Sequence, residues 1–141
     1  MLAHTASREA EVVINNLCGH PDAMRYDAIP GIVYTNPEVA GVGLTEAQAQ
    51  QQGIDYACHK LPMAYSGRFV AENEGGEGLC KVIVEGASGR VLGVHMLGNP
   101  CSEIIGSACI AIEQGMTKEQ LERVVLPHPT VTEIFKETVG C

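Results

Sequence analysis

Two short runs rich in valine and isoleucine, Leu79–Glu85 (LCKVIVE) and Val91–Leu97 (VLGVHML), are joined through Gly86-Ala87-Ser88-Gly89, with Arg90 leading into the second. β-Branched residues favour the pleated strand, and a connection this short can only reverse the chain, so the pair reads as an antiparallel hairpin. An antiparallel sheet is therefore the frame on which the remaining residues must be placed. The next segment, Cys101–Glu113, carries Ile104, Ile105, Ala108, Cys109 and Ile112 at helical spacing, while Ile110 and Ala111 leave its other face nearly apolar. Such a helix needs cover on both sides: one face packs on the sheet and the other meets a neighbour, with Gly106, Ser107 and Ala108 permitting close approach.

With 141 residues, 45% of them hydrophobic, the chain has room for one domain with a real core. Its first residues, Met1-Leu2-Ala3-His4, open a helical stretch to about Asn16, and residues 18–28, with Gly19, Pro21, Asp22 and Asp27, read as a linker. The folded unit should begin near Ile29. Residues 32–34 read as a short strand, Asn36-Pro37 as a turn, and Val39–Gly43 as a second extended piece whose Val39 and Val42 can pack inward. Thr45 with Gln48 forms a capping box for a short helix ended by Gly53, residues 54–61 read as a strand, and residues 62–74 read as extended through Arg68, Phe69 and Val70. Thr117 with Gln120 caps one more helix, to about Arg123. The fold class is thus α+β, an antiparallel sheet of about four or five strands with helices packed on it.

Charge and cysteine usage exclude several function classes. Nine basic against 17 acidic residues give a formal charge of -8, which repels phosphate backbones and anionic lipid, so no nucleic-acid or membrane partner is expected. No apolar run approaches the ~20 residues that span a bilayer, and His4, Arg8, Glu9 and Glu11 interrupt any signal-peptide core, so a cytoplasmic protein is expected. Cys18, Cys58, Cys80, Cys101, Cys109 and Cys141 read as free thiols, none spaced as a redox pair. No metal site is expected, because Cys18-Gly19-His20 and Cys58-His59 lack second ligand pairs. Gly41-Val42-Gly43 and Gly76-Glu77-Gly78 both fail as dinucleotide fingerprints, since the third glycine position holds Glu46 or Lys81.

Chemistry concentrates in Pro127-His128-Pro129-Thr130-Val131-Thr132-Glu133. The prolines keep His128 out of a helix and on a stiff turn. Thr130 with Glu133, ahead of Ile134, Phe135 and Val139, is a capping-box signature that starts a helix at about Thr130 and sets Glu133 in its first turn, near His128. Glu133 can serve only as a cap; it can also orient the imidazole as a His/Glu dyad. A thiol titrates near ~8.5 and an imidazole near ~6.5, so unassisted proton transfer is uphill by about 2 to 3 kcal/mol, and a carboxylate partner offsets much of that. A dyad of this kind suits thiol chemistry.

The HPTVTE stretch resembles the HPT-x-x-E motif of the flavin-dependent disulfide reductases, particularly dihydrolipoamide dehydrogenase. Residues 26–49 (YDAIPGIVYTNPEVAGVGLTEAQA) are similar to the opening of that family's C-terminal interface domain, and residues 67–98 to its central strands, so the resemblance spans nearly the whole chain. It implies an interface, or dimerisation, domain over residues 29–141, with residues 1–28 a helix and linker left from the end of an FAD-binding domain. It also implies a homodimer in which His128 is the general acid/base toward the dihydrolipoyl thiol of lipoamide or a lipoyl-bearing protein, Glu133 orients it, and the pair completes the partner subunit's active site. Met1, Leu2, Ala3 and His4 resemble the MLAH segment that lies against the flavin, which makes them FAD contacts only in full-length context. FAD and NAD belong to the full-length parent; none is expected in this chain, which should be inactive alone. A free-standing dimerisation module without chemistry, or the same domain of a glutathione reductase-like enzyme, are the alternatives. In the resembled reductases the His-Pro bond of the motif is typically cis, so the same is expected at His128-Pro129, and Asn36-Pro37 is a second candidate.

Overall fold

The computed structural model describes residues 2–141. Five strands, β1 (Gly31–Val33), β2 (Val39–Gly43), β3 (Tyr56–Pro62), β4 (Leu79–Glu85) and β5 (Val91–Leu97), form a single sheet in the order β1-β2-β5-β4-β3. Every neighbouring pair is antiparallel. The hairpin of β4 and β5 lies inside the sheet, β5 pairing outward with β2 and β4 with β3, and its loop is closed by Gly89 N–H donating to the Glu85 carbonyl at 2.9 Å.

Strand alternation sorts the side chains into two faces. Ile32, Ala40, Met96, Cys80 and Leu61 are successive partners across the five strands, and Val42, Val94 and Val82 form the next row on the same face. This face is the core: α4 (Cys101–Glu113) packs on β2 and β5, and α6 (Glu133–Gly140) packs on β3 and β4. Burying apolar side chains on that scale, at roughly 1.5 to 3 kcal/mol for each large one, is what holds sheet and helices together. Val39 differs from expectation. It is 43% exposed while Val42 is 2% exposed, because three residues along a strand, an odd step, carry the two to opposite faces. At the close approach of β2 and β5, a Cβ on Gly93 would fall 2.0 Å from the Leu44 carbonyl oxygen, so only glycine fits.

The capping boxes at Thr45 and Thr117 both form, opening α2 (Glu46–Gln51) and α5 (Lys118–Glu122). α2 lies over the sheet's second face, where Glu46 reaches Lys81 at 3.0 Å and Lys60 at 3.2 Å; those ammonium groups, Lys81 first, hold its carboxyl down at about 2. Gly53 ends that segment at φ +68°. The α4 helix buries Cys101, Ile104, Ile105, Ala108, Ala111 and Ile112 and leaves Ile110 exposed.

Residues 62–74 are not extended. A 3-10 turn (Met63–Tyr65) leads into α3 (Gly67–Glu72), because the Ser66 hydroxyl accepts from Phe69 N–H at 3.3 Å and the Phe69 ring is buried in the core. The adjacent Phe69 and Val70 favour a strand, but burial of Phe69 beneath a helix overrides that local preference. The last helix also starts later than expected, at Glu133 rather than about Thr130. Thr130 Oγ1 donates to the Pro127 carbonyl at 2.8 Å instead of accepting from the helix, so only the Glu133 half of the capping box is made.

At the other end of the chain, α1 (Ala3–Leu17) has no buried residue. It is tied to the linker by Arg8, whose guanidinium donates two bonds to Asp22 at 2.8 and 2.7 Å. The linker returns to the domain through Arg25, which donates to the Glu113 carbonyl at the end of α4 at 2.6 Å. No helix among the described residues is long and apolar enough to cross a membrane.

Candidate active-site dyad

The loop that carries His128 runs from the end of α5 to the start of α6. Leu121 at one side, and Val131, Ile134 and Phe135 at the other, are buried and anchor it, while His128 stands outward with its side chain 82% exposed. The His128-Pro129 peptide is cis, as are Asn36-Pro37 and Asn99-Pro100; nothing in the sequence singles out the last.

His128 Nδ1 lies 3.0 Å from Glu133 Oε1 and 3.2 Å from Oε2. A carboxylate only accepts, so Nδ1 is the donor, and in the neutral ring the lone pair sits on Nε2. Glu133 is fixed in turn by Thr130 N–H, which donates to Oε2 at 2.8 Å. That backbone bond first, then the bond from His128, holds the Glu133 carboxyl below the usual carboxylate range, so it stays ionised beside the ring. Thr130 is therefore part of the site through its backbone N–H and, through its hydroxyl, braces the turn on the Pro127 carbonyl. A shallow cleft of about 260 Å³ adjoins the loop, lined by Arg68, Glu72, Pro100, Ile104, Pro129, Thr130 and Val131. Arg68 and Glu72 pair one helical turn apart on α3, a meeting that the extended segment expected over residues 62–74 does not allow.

The residues at the chain's start are elsewhere. Met1 lies outside the described residues; Leu2 and Ala3 are exposed at the start of α1, and His4 Nε2 meets the Pro30 carbonyl at 3.0 Å. His4 and the buried Thr5 hydroxyl, which has no partner among the described residues, line a cleft of about 580 Å³ with Arg8, Asp22, Arg25 and Glu113, which contains neither His128 nor Glu133. These residues do not amount to a flavin site by themselves. A dinucleotide is held at the turn of a parallel βαβ unit, and every strand pair here is antiparallel. All six cysteines are free; burial pushes Cys80 and Cys101 up to about 11, away from thiolate reactivity. Among the described residues no group of three metal-ligating side chains comes together.

Residues 29–139 match the family described as pyridine nucleotide-disulphide oxidoreductase, dimerisation domain. The chain belongs to that family. The dimerisation domain is 39% identical over 137 residues to the mitochondrial dihydrolipoyl dehydrogenase of Caenorhabditis elegans, covering 97% of this chain and 28% of that protein. It is 40% identical over 136 residues to the dihydrolipoyl dehydrogenase of Geobacillus stearothermophilus, covering 96% of this chain and 29% of that protein. The chain thus spans less than a third of the length of the relatives it matches. Among solved structures, LpdA from Mycobacterium tuberculosis superposes with a TM-score of 0.90 at 20% identity, covering 99% of this chain and 30% of that one. The HOCl-induced flavoprotein disulfide reductase RclA from Escherichia coli superposes with a TM-score of 0.81 at 26% identity, covering 92% of this chain and 30% of that one. The shared architecture is the five-stranded antiparallel sheet with its helices.

Proposed function

We propose that this dimerisation domain supplies the His128–Glu133 pair as general acid/base to the partner subunit's active site in a dihydrolipoyl dehydrogenase. The observation that carries the reading is the exposed imidazole held through Nδ1 at 3.0 Å from an ionised Glu133, which leaves Nε2 free to exchange a proton. Nε2 takes the proton of a dihydrolipoyl thiol; the thiolate attacks a disulfide held by the rest of the enzyme, forming one S–S bond as another breaks; the imidazolium returns its proton to a leaving thiolate. Glu133 keeps the tautomer fixed and stabilises the imidazolium, the division of labour that general-base pairs use.

The homodimer, lipoamide or a lipoyl-bearing protein as substrate, and FAD and NAD as cofactors of the full-length parent belong to the same proposal. So does the division of the chain into residues 1–28, left from an FAD-binding domain, and residues 29–141; the exposed α1 supports it. In that full-length setting, Met1, Leu2, Ala3 and His4 would contact the flavin; the chain alone is inactive.

The test is a chimeric enzyme in which this chain replaces the matching segment of the Geobacillus stearothermophilus protein. His128→Gln should slow lipoamide turnover by about 10² to 10⁴-fold, the reach of one general base, with flavin content unchanged. Near-normal turnover would reduce His128 to a loop residue.

A further inference from the structure

The loop that carries the imidazole has little to hold it on its incoming side. Pro127 and Pro129 have no N–H to donate, Val125 is 93% exposed, and among the described residues no backbone-to-backbone hydrogen bond involves residues 125–129. Its outgoing side is held at Thr130, by Glu133 on the N–H at 2.8 Å. The Thr130 hydroxyl on the Pro127 carbonyl braces the turn internally without tying it to anything outside the loop.

On the incoming side, the side-chain bond that reaches the arm from outside comes from Lys136. Its Nζ donates to the Val124 carbonyl at 2.7 Å, a partly buried, charge-assisted bond at the point where the chain leaves α5. Val124 itself is fixed behind that point, its N–H on the Leu121 carbonyl at 3.0 Å. Lys136 stands three residues after Glu133 on α6, so the two side chains share one helix face. A single helix therefore grips both ends of the loop: Glu133 takes the outgoing end and the imidazole, Lys136 the incoming end. The distance that matters is the 3.0 Å from His128 Nδ1 to Glu133. A displacement of about 1 Å would take that pair out of hydrogen-bond range, and misplacements of that size cost catalysts about 10²-fold.

We propose that Lys136 is a positioning residue for the dyad: by fixing the Val124 carbonyl to the helix that carries Glu133, it sets the position of His128 against the carboxylate. The proposal rests on the reading of His128 and Glu133 as a working pair, and the experiment separates the two. The full 141-residue chain is labelled with ¹⁵N, and the His128 ring is followed by long-range ¹H–¹⁵N correlation at about pH 9, where an ordinary imidazole is neutral. In that state the tautomer is set by which ring nitrogen has an acceptor, a readout that loss of global stability does not move.

The wild-type ring should be mainly Nδ1–H, and Glu133→Ala should return it to the Nε2–H preference of free imidazole. Lys136→Met, which keeps the apolar stem and loses the donor, should move the ring at least halfway to the Glu133→Ala position, and Lys136→Arg should restore it. If Glu133→Ala changes nothing, the pair itself is not formed and the functional reading fails. If Glu133→Ala shifts the ring and Lys136→Met leaves it as in wild type, whatever happens to Tm, the pair stands and the role of Lys136 is overturned. Should Lys136→Met not fold, Lys136→Gln gives the same decision, because its amide is too short to reach Val124.

Discussion

Phe69→Ala tests the part of the fold that local sequence reads most poorly and that lies beside the dyad loop. The ring is 1% exposed, and a Cβ added at Gly98 would sit 3.0 Å from it, so there is no slack around it to collapse into the space it leaves. Transfer of a phenyl side chain to water accounts for roughly 1.5 to 3 kcal/mol, and the unfilled cavity brings the total to about 3 to 5 kcal/mol. Against a total stability of about 5 to 15 kcal/mol for a domain of this kind, that is a large fraction, and it corresponds to a fall in Tm of about 10 to 20 °C. The assay is urea unfolding followed by far-UV circular dichroism, with Val70→Ala as the control. Val70 is 51% exposed and its truncation should cost under about 1 kcal/mol. If residues 62–74 ran extended over the surface with both side chains in solvent, the two substitutions would cost similar amounts. A loss below about 1 kcal/mol for Phe69→Ala, or a larger one for Val70→Ala, would refute the helical packing of α3.

Other outcomes follow from the electrostatics and from the assembly. Glu133 has its carboxyl lowered in the fold, so its contribution to stability is fully present above the ordinary carboxylate pKa and is lost as pH falls through the lowered value; Glu133→Gln should flatten that acid limb in urea midpoints measured from pH 6 downward. Asp22, held at about 2 chiefly by Arg8 and next by Asn15, behaves in the same way over the range between its ordinary value and about 2; Asp22→Asn should free α1, read as faster amide exchange over residues 3–17 with the sheet unchanged. Light scattering at micromolar concentration should give a dimer mass, and a monomer would contradict the assembly on which the proposed function depends.

The β4–β5 hairpin was legible because its signal is local: valine-rich runs and a four-residue turn allow little else. The α4 helix was legible for the same reason, since thirteen residues carry their own period. The α3 helix was not, because its cap comes from Ser66 without an acidic partner three residues on, and its stability comes from where Phe69 ends up in three dimensions. Thr130 and Glu133 announced a cap, yet the hydroxyl finds the Pro127 carbonyl first, a local competition that residue identities do not decide. Within the site, the meeting of His128 and Glu133 could be read from a spacing of five residues across a proline-stiffened turn. The reach of Lys136 to Val124 could not, because its acceptor is a backbone carbonyl, which every residue has.

The claim that the domain completes its partner's site is tested most directly by a mixed dimer of the chimeric enzyme. One subunit carries His128→Gln with its redox cysteines intact, and the other keeps His128 but has those cysteines, which lie outside this chain, replaced by serine. If His128 acts across the interface, the two inactive parents recover lipoamide turnover when combined, with one of the two sites in each mixed dimer working. A mixed dimer as inactive as its parents would mean that His128 serves its own subunit or none, and would contradict its action across the interface.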